Sequence, residues 1–212
     1  MYQSSKNRLI AFGCSYTYGH GLSDCIIEGF RPGLKPSEFA WPSHLGKMLG
    51  KDVINDSRAG SSNLEILYRI LNFDFNPTDI VVILWSYSVR DMIFVENGPN
   101  KILGAWIDDA DIEPWLRIHS NYDLLMRSWF NVHHAKQYLE NNSINNYNFF
   151  IDPEMKLSPE CPKFKDRNNV YLKDLLLNEY DRALDKSHPG PIAHLKAAEK
   201  INEYISGDSK CL

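Results

Sequence analysis

The strongest constraint on the fold is a continuous apolar run near the middle of the chain, IVVILW at residues 80–85. A strand with one face in water alternates apolar and polar residues, whereas a strand of a parallel sheet is covered on both faces and is apolar throughout. Six residues are too few to span a membrane. The run therefore predicts a buried strand at the centre of a parallel sheet.

Strands and helices alternate along the rest of the chain. Further strands are predicted at residues 9–12, 52–55 and 147–151, and helices at 41–49, 64–71, 122–139, 170–184 and 191–205. This alternation is typical of a doubly wound α/β fold, in which a mostly parallel sheet is flanked by helices in three layers. We expect one domain over residues 1–212, with an irregular insertion at about 94–114 that forms one wall of a cleft.

Composition excludes several classes of function. The net charge is -4, and the 23 Lys and Arg residues are scattered, so no basic footprint predicts binding to nucleic acid or to an anionic membrane. The four cysteines form no CxxC pair, which argues against a zinc site and for reduced thiols. The polar N-terminus has no secretory pattern, so a cytoplasmic protein is expected. Its oligomeric state is left open.

A serine follows the first predicted strand, where Gly13 begins a tight turn that contains Ser15. Ligands of such sheets bind at the carboxyl ends of the strands, so Ser15 is expected to lie close to Gly60 and to residues 86–90, which follow two other strands. A serine hydroxyl there is a candidate nucleophile, but it needs a base to accept its proton.

The candidate base lies near the other end of the chain, in Asp185-Lys186-Ser187-His188. The three-residue spacing lets the Asp185 carboxylate reach His188 within one turn, where it would fix the imidazole tautomer and stabilise the imidazolium. Pro189 disfavours helical geometry at His188, so the ring can project from a loop. In the alternative interpretation, Asp185 caps a turn and His188 is a surface histidine.

These motifs resemble those of the SGNH or GDSL hydrolases. The resemblance spans residues 9–205 and includes FGCSYTYG at 12–19, the glycine of NDSRAGSSN at Gly60, and DKSH at 185–188; Cys14 stands where the family usually has Asp. It implies a serine ester hydrolase in which Ser15 is the nucleophile, with His188 and Asp185 completing the triad. The backbone N–H groups of Ser15 and Gly60 would bind the oxyanion, and neither cofactor nor metal is implied.

The third block departs from the family. Its G-x-N-D, whose Asn helps to form the oxyanion hole, is replaced here by SYSVRD at residues 86–91. One oxyanion donor is worth roughly 10²–10³ in turnover. A third donor could come from Asn63, Ser86 or Tyr87, and Asn63 is favoured because it follows Gly60 closely; alternatively it is a helix N-terminal cap.

Four residues near the predicted cleft are expected to contact substrate: Tyr16, Ser86, Tyr87 and Arg90. Arg90 could instead form an ion pair with Asp91 or Asp56. Asp152, at the end of the fourth strand, is the reserve candidate for the triad acid, and a packed or solvated role is expected for His194.

Three functions remain open. The first is hydrolysis of short acyl esters, acetyl above all, of a small molecule or a glycan, because the cleft loops mix aromatic residues with Asn, Asp and Ser. The second is a non-enzymatic glycan-binding domain that stacks sugars on aromatic side chains: Tyr16, Tyr18, Trp41, Trp85 and Tyr87. The third is acyl transfer to a sugar hydroxyl by the same triad.

Overall fold

The structure, a computed structural model, describes residues 7–97, 100–104, 112–157, 170–172 and 180–207. In chain order its elements are β1 (Arg8–Gly13), α1 (Ser15–Tyr18), β2 (Ile26–Ile27), β3 (Arg31–Pro32), α2 (Trp41–Leu49), β4 (Asp52–Asn55), α3 (Asn63–Leu71), β5 (Ile80–Trp85), β6 (Asp91–Ile93), β7 (Lys101–Leu103), α4 (Ile112–Ile118), α5 (Asn121–Asn141), β8 (Asn145–Phe150), α6 (Pro153–Leu157), β9 (Val170–Tyr171) and α7 (Pro191–Ile205).

A parallel sheet forms the centre of the molecule, with strand order β4-β1-β5-β8-β9. β1 lies between β4 and β5, so the loops that follow these three strands emerge side by side at one edge of the sheet. This arrangement confirms the predicted doubly wound fold with a mostly parallel sheet.

The central strands are apolar throughout because both faces of the sheet are covered. From β5, Val81 and Ile83 pack with α3 and α5, whereas Val82 and Leu84 pack with α2 and α7. All four side chains are completely buried. At about 1.5–3 kcal/mol for each fully buried large aliphatic side chain, this one strand supplies a substantial part of the stabilisation of the fold.

Helix boundaries agree well with the sequence pattern. α2 and α7 have the predicted bounds, and α2 ends at Gly50 in the left-handed conformation. The Ser62 side chain accepts a hydrogen bond from the Glu65 N–H, which confirms one of the two predicted caps of α3. No helix among the described residues is long and apolar enough to cross a membrane.

The helix predicted for residues 170–184 is wrong at both ends. Residues 170–171 form the edge strand β9, and the backbone between Asp181 and Gly190 is a tight loop with a bridge from Arg182 to Pro189. Leu172 donates a backbone hydrogen bond to Phe150 and is buried against the sheet. At residues 170–171, strand pairing therefore overrides the helical periodicity of the sequence. Residues 173–179 lie outside the described residues.

The segment at 94–114 is more regular than predicted where the structure describes it. β7 pairs antiparallel with β6, just before the segment, and α4 begins at Ile112. Residues 98, 99 and 105–111 lie outside the described residues, so the cleft wall stays a prediction.

His194 has a structural role between two helices. It is completely buried on α7, and its Nδ1 accepts a hydrogen bond of 3.2 Å from the Trp41 N–H at the start of α2. This bond satisfies one of the donors that a helix N-terminus leaves free. Burial, together with the neighbouring His44 and His188, lowers the pKa of His194 to about 3.

The His194 environment predicts a pH-dependent stability. Because the folded-state pKa lies below the ordinary value, only the unfolded chain takes up this proton as the pH falls below about 6.5. The free energy of unfolding should therefore decrease by up to about 1.4 kcal/mol per pH unit from this residue. Urea titrations between pH 7 and 5 should show this decrease of the free energy of unfolding with pH in wild type and a smaller decrease in His194→Leu. The control His134→Gln, changed at an exposed histidine, should show the same decrease as wild type. Equal slopes for wild type and His194→Leu would contradict it.

Candidate active site

The turn after β1 presents Ser15 at the carboxyl edge of the sheet. A Cβ at Gly13 would fall 2.1 Å from Thr17 Oγ1, so only glycine fits beside α1. α1 begins at Ser15, and an N–H at the first helical position has no acceptor within its own helix. The Ser15 hydroxyl thus lies next to the backbone N–H of the same residue, which has no acceptor within α1.

The loop after β4 is fastened to the same edge. The Arg58 N–H donates to Gly13 O at 3.2 Å, and the Asn55 side chain donates to Thr17 O at 2.8 Å. Gly60 follows with a φ of 85°, and nothing lies within 4 Å of a Cβ built on it. Gly60 is therefore in a left-handed conformation next to open space, near the end of β1.

Asp185 and His188 form the contact that their spacing predicts. Asp185 Oδ2 lies 2.5 Å from His188 Nδ1, and Asp185 Oδ1 accepts hydrogen bonds of 3.0 Å from the backbone N–H groups of Ser187 and His188. With Nδ1 bound to the carboxylate, Nε2 is the ring nitrogen that remains to accept a proton.

The electrostatics of the pair favour a neutral imidazole beside a carboxylate. Burial lowers the pKa of His188, and the hydrogen bond that its Nδ1–H donates to Asp185 offsets this only in part. Burial alone would raise the pKa of Asp185, but the N–H and imidazole of His188 and the N–H of Ser187 together lower it to about 2. At neutral pH His188 is therefore in the form that can act as a base.

An aromatic cluster connects this pair to the turn at Ser15. The Tyr16 ring lies 5.6 Å from the His188 ring and 6.4 Å from the Tyr87 ring, measured between centroids. The Arg90 guanidinium lies over the Tyr87 ring at 5.1 Å. The residues that follow β1 and β5 thus meet His188 at one edge of the sheet, as predicted. No hydrogen bond joins the described Ser15 and His188 side chains, so their proton-transfer contact stays a prediction.

Two other residues of the predicted site have buried structural contacts. Asn63 is completely buried; its amide group donates to Ser86 O and to Ser128 Oγ, and its oxygen accepts from the Ser86 N–H. This bonding speaks against Asn63 as an oxyanion donor, because both of its amide hydrogens are used. Ser86 is also completely buried, and its hydroxyl accepts from Arg90 at 3.2 Å, which favours a role in holding Arg90.

The carboxylates considered as alternatives have other partners. Asp152 accepts hydrogen bonds of 2.6 Å from the N–H and the hydroxyl of Ser88, which favours a structural role at the end of β8. Asp56 forms an ion pair with Arg69.

The aromatic platform proposed for sugar stacking is smaller than expected. Trp41 and Trp85 are completely buried in the core. Tyr18 is also buried, with its hydroxyl bound to Gly33 O. Tyr16 is buried to the same degree and contacts the His188 ring, so Tyr87, which is half-buried and contacts Tyr16, is the residue of the predicted platform that keeps an accessible ring.

The sequence analysis missed His20 and Gly21. The His20 ring lies 4.4 Å from the His188 ring, and the Gly21 carbonyl accepts a hydrogen bond from the Leu184 N–H. A Cβ at Gly21 would lie 2.8 Å from Asp185 Cγ, so glycine permits this close approach. The signal for this role is a histidine between two glycines, Gly19 and Gly21, both with positive φ.

Comparison with solved structures identifies the fold. A lipolytic protein of the G-D-S-L family from Desulfitobacterium hafniense DCB-2 matches over 93% of this chain and 99% of its own, with a TM-score of 0.55 and 13% identity. The chain has the SGNH/GDSL hydrolase fold. The same fold is matched in a carbohydrate esterase whose active site displays divergent catalytic and non-catalytic binding functions, with a TM-score of 0.61, 14% identity, and coverage of 98% of this chain and 70% of that one.

An acetyl xylan esterase from Butyrivibrio proteoclasticus also has this fold. It matches with a TM-score of 0.60 and 12% identity, over 98% of this chain and 65% of its own. No protein-family model and no curated protein matches the sequence. At such low identity the similarity establishes the SGNH/GDSL fold, and the chemistry has to be argued from the site.

Proposed function

We propose that this chain is a serine ester hydrolase that acts on short acyl esters. The observation that carries the proposal is the hydrogen bond between Asp185 and His188, held beside Tyr16 at the edge of the sheet where Ser15 begins α1. An oriented imidazole next to a serine turn is the arrangement that nucleophilic acyl transfer requires.

In the proposed reaction, Ser15 Oγ attacks the carbonyl carbon of the ester while His188 Nε2 takes the hydroxyl proton. The Asp185 carboxylate stabilises the imidazolium that forms. The tetrahedral intermediate collapses when His188 returns the proton to the leaving alkoxide oxygen, which leaves an acyl group on Ser15. Water, deprotonated by His188, then attacks the carbonyl carbon of this acyl-enzyme. When that intermediate collapses, His188 gives the proton to Ser15 Oγ, which releases the carboxylic acid and restores the free serine.

The oxyanion would be bound by the backbone N–H groups of Ser15 and Gly60. Support comes from the free helical position of the Ser15 N–H and from the open space next to Gly60. Among the candidates for a third donor, Asn63 is engaged elsewhere, and the candidate that remains is the hydroxyl of the half-buried Tyr87, which is hydrogen-bonded to Tyr16. If only the two backbone N–H groups bind the oxyanion, turnover should be about 10²–10³-fold lower than if a third donor also binds it.

For the substrate, we propose an acetyl ester, of a small molecule or a glycan. Tyr87 is half-buried and contacts Tyr16, which in turn contacts His188, so Tyr87 is the aromatic side chain available to pack on a sugar ring near the site. One protein of the same fold is an acetyl xylan esterase, which supports this substrate class.

The test is a series of p-nitrophenyl esters from acetate to octanoate, assayed with the wild-type protein. We expect kcat/KM to be greatest for acetate and to fall as the chain lengthens. Rates that climb towards octanoate would overturn the short-acyl proposal, and no release of p-nitrophenol from any ester would overturn the hydrolase. Addition of a sugar acceptor separates hydrolysis from acyl transfer, because only transfer yields an acylated sugar.

Glycan binding without catalysis remains the second candidate, favoured by the altered third block. The burial of Trp41 and Trp85 reduces the stacking surface on which that candidate relied. Saturable binding of an unesterified glycan together with the absence of ester hydrolysis would favour it.

A further inference from the structure

His20, Asp185 and His188 form a cluster that the proposed reaction does not fully use. One ligand atom from each residue lies within 4.8 Å of the other two, and all three residues are half-buried. Two imidazoles and one carboxylate are ligands typical of zinc and related divalent metals. In a tetrahedral zinc site, ligand atoms are about 3.3 Å apart at bond lengths of about 2.0–2.1 Å. Small movements of these side chains would therefore complete the coordination.

The His20 ring already has the hydrogen bond that orients a metal ligand. Its Nε2 lies 2.8 Å from the carbonyl oxygen of Phe30. An N–H that donates to a carbonyl fixes the tautomer and leaves the lone pair of the other nitrogen, here Nδ1, free to bind a cation. This arrangement is common around metal-ligating histidines.

The two loops that carry the ligands are fixed against each other. The Leu184 N–H donates to the Gly21 carbonyl at 3.0 Å, and Gly21 packs against the Asp185 carboxylate. His20 therefore cannot move far from Asp185 without breaking this contact. Such pre-organisation reduces the entropy cost of binding an ion.

We propose that His20, Asp185 and His188 bind one divalent transition-metal ion of the zinc class, with the remaining position open to water. The consequence for activity rests on the proposed function: a metal ion on His188 and Asp185 occupies the base and its orienting carboxylate, so it inhibits ester hydrolysis reversibly. His20 is then the residue that makes the triad sensitive to zinc.

The decisive experiment measures zinc binding directly, without reference to activity. Metal-free protein is titrated with Zn²⁺ in competition with a chromophoric chelator. We expect one ion to bind to wild type and equally to Ser15→Ala, and at least about tenfold weaker binding in His20→Gln. His134→Gln, changed at an exposed histidine on α5, should bind as wild type does. Absence of binding, or equal affinity in wild type and His20→Gln, would overturn the site.

Inhibition is measured separately, as the ratio of rates with and without Zn²⁺ for each protein. Half-inhibition should require at least about tenfold more Zn²⁺ in His20→Gln than in wild type, and excess EDTA should restore the rate. Zinc-stimulated hydrolysis would overturn inhibition as the role of the ion. If no protein hydrolyses esters but wild type and Ser15→Ala still bind zinc through His20, the hydrolase proposal fails and the metal site stands.

Discussion

Replacement of Ser15 by alanine should reduce kcat for p-nitrophenyl acetate by about 10⁴–10⁶-fold, because loss of the nucleophile removes the covalent path as a whole. Residual hydrolysis should reflect binding and oxyanion stabilisation alone. The side chain is small and has no hydrogen-bond partner among the described residues, so the midpoint of thermal unfolding should stay close to that of wild type. The measurements are steady-state kinetics and thermal unfolding of both proteins.

Ser187 provides the matched control. Its hydroxyl lies 3.1 Å from His188 Nδ1, so it is a second serine next to the proposed base. That nitrogen is already bound to Asp185, so Ser187 is poorly placed to be the nucleophile. Ser187→Ala should keep kcat within about tenfold of wild type. A large loss in Ser187→Ala combined with full activity in Ser15→Ala would transfer the nucleophile to Ser187.

The parts of the fold that the sequence predicts well are those governed by local periodicity. β5 is predicted by a continuous apolar run, and α2 and α7 are predicted by helical spacing. Gly50 marks the end of α2, and Pro191 marks the start of α7. Residues 170–184 have a similar spacing, but at residues 170–171 the backbone pairing of β9 with β8 decides the structure. That pairing joins residues about twenty positions apart, so no pattern within residues 170–171 themselves predicts it.

The same distinction applies to the candidate site. The contact of Asp185 with His188 lies within one turn, so its spacing predicts it. The contact of His20 with His188 depends on how the loop at Gly21 packs against the Asp185 carboxylate, more than 160 positions away in sequence. Asn63 shows the converse problem. Its position close to Gly60 in sequence indicates an oxyanion donor, but its amide group donates to Ser86 and Ser128, and these partners cannot be read from the sequence.

The second large effect is expected at Asp185, where asparagine preserves the loop and reverses the tautomer of His188. Asp185 Oδ1 accepts both backbone N–H groups, from Ser187 and His188, and the asparagine oxygen can keep these bonds. The new amide N–H₂ then takes the place of Oδ2 and donates to His188 Nδ1. The ring proton moves to Nε2, so the nitrogen that faces the proposed reaction becomes a donor and can no longer accept the serine proton.

We therefore expect Asp185→Asn to lower kcat by about 10³–10⁴-fold with little change in thermal unfolding. Asp152→Asn is the control, because Asp152 accepts from the N–H and hydroxyl of Ser88 and its loss should reduce stability while leaving kcat within about tenfold of wild type. Both variants are assayed with p-nitrophenyl acetate below their unfolding temperatures. If Asp152→Asn lost activity as severely as predicted for Asp185→Asn, and Asp185→Asn remained active, the triad acid would be Asp152, and the contact between Asp185 and His188 would serve only to shape the loop.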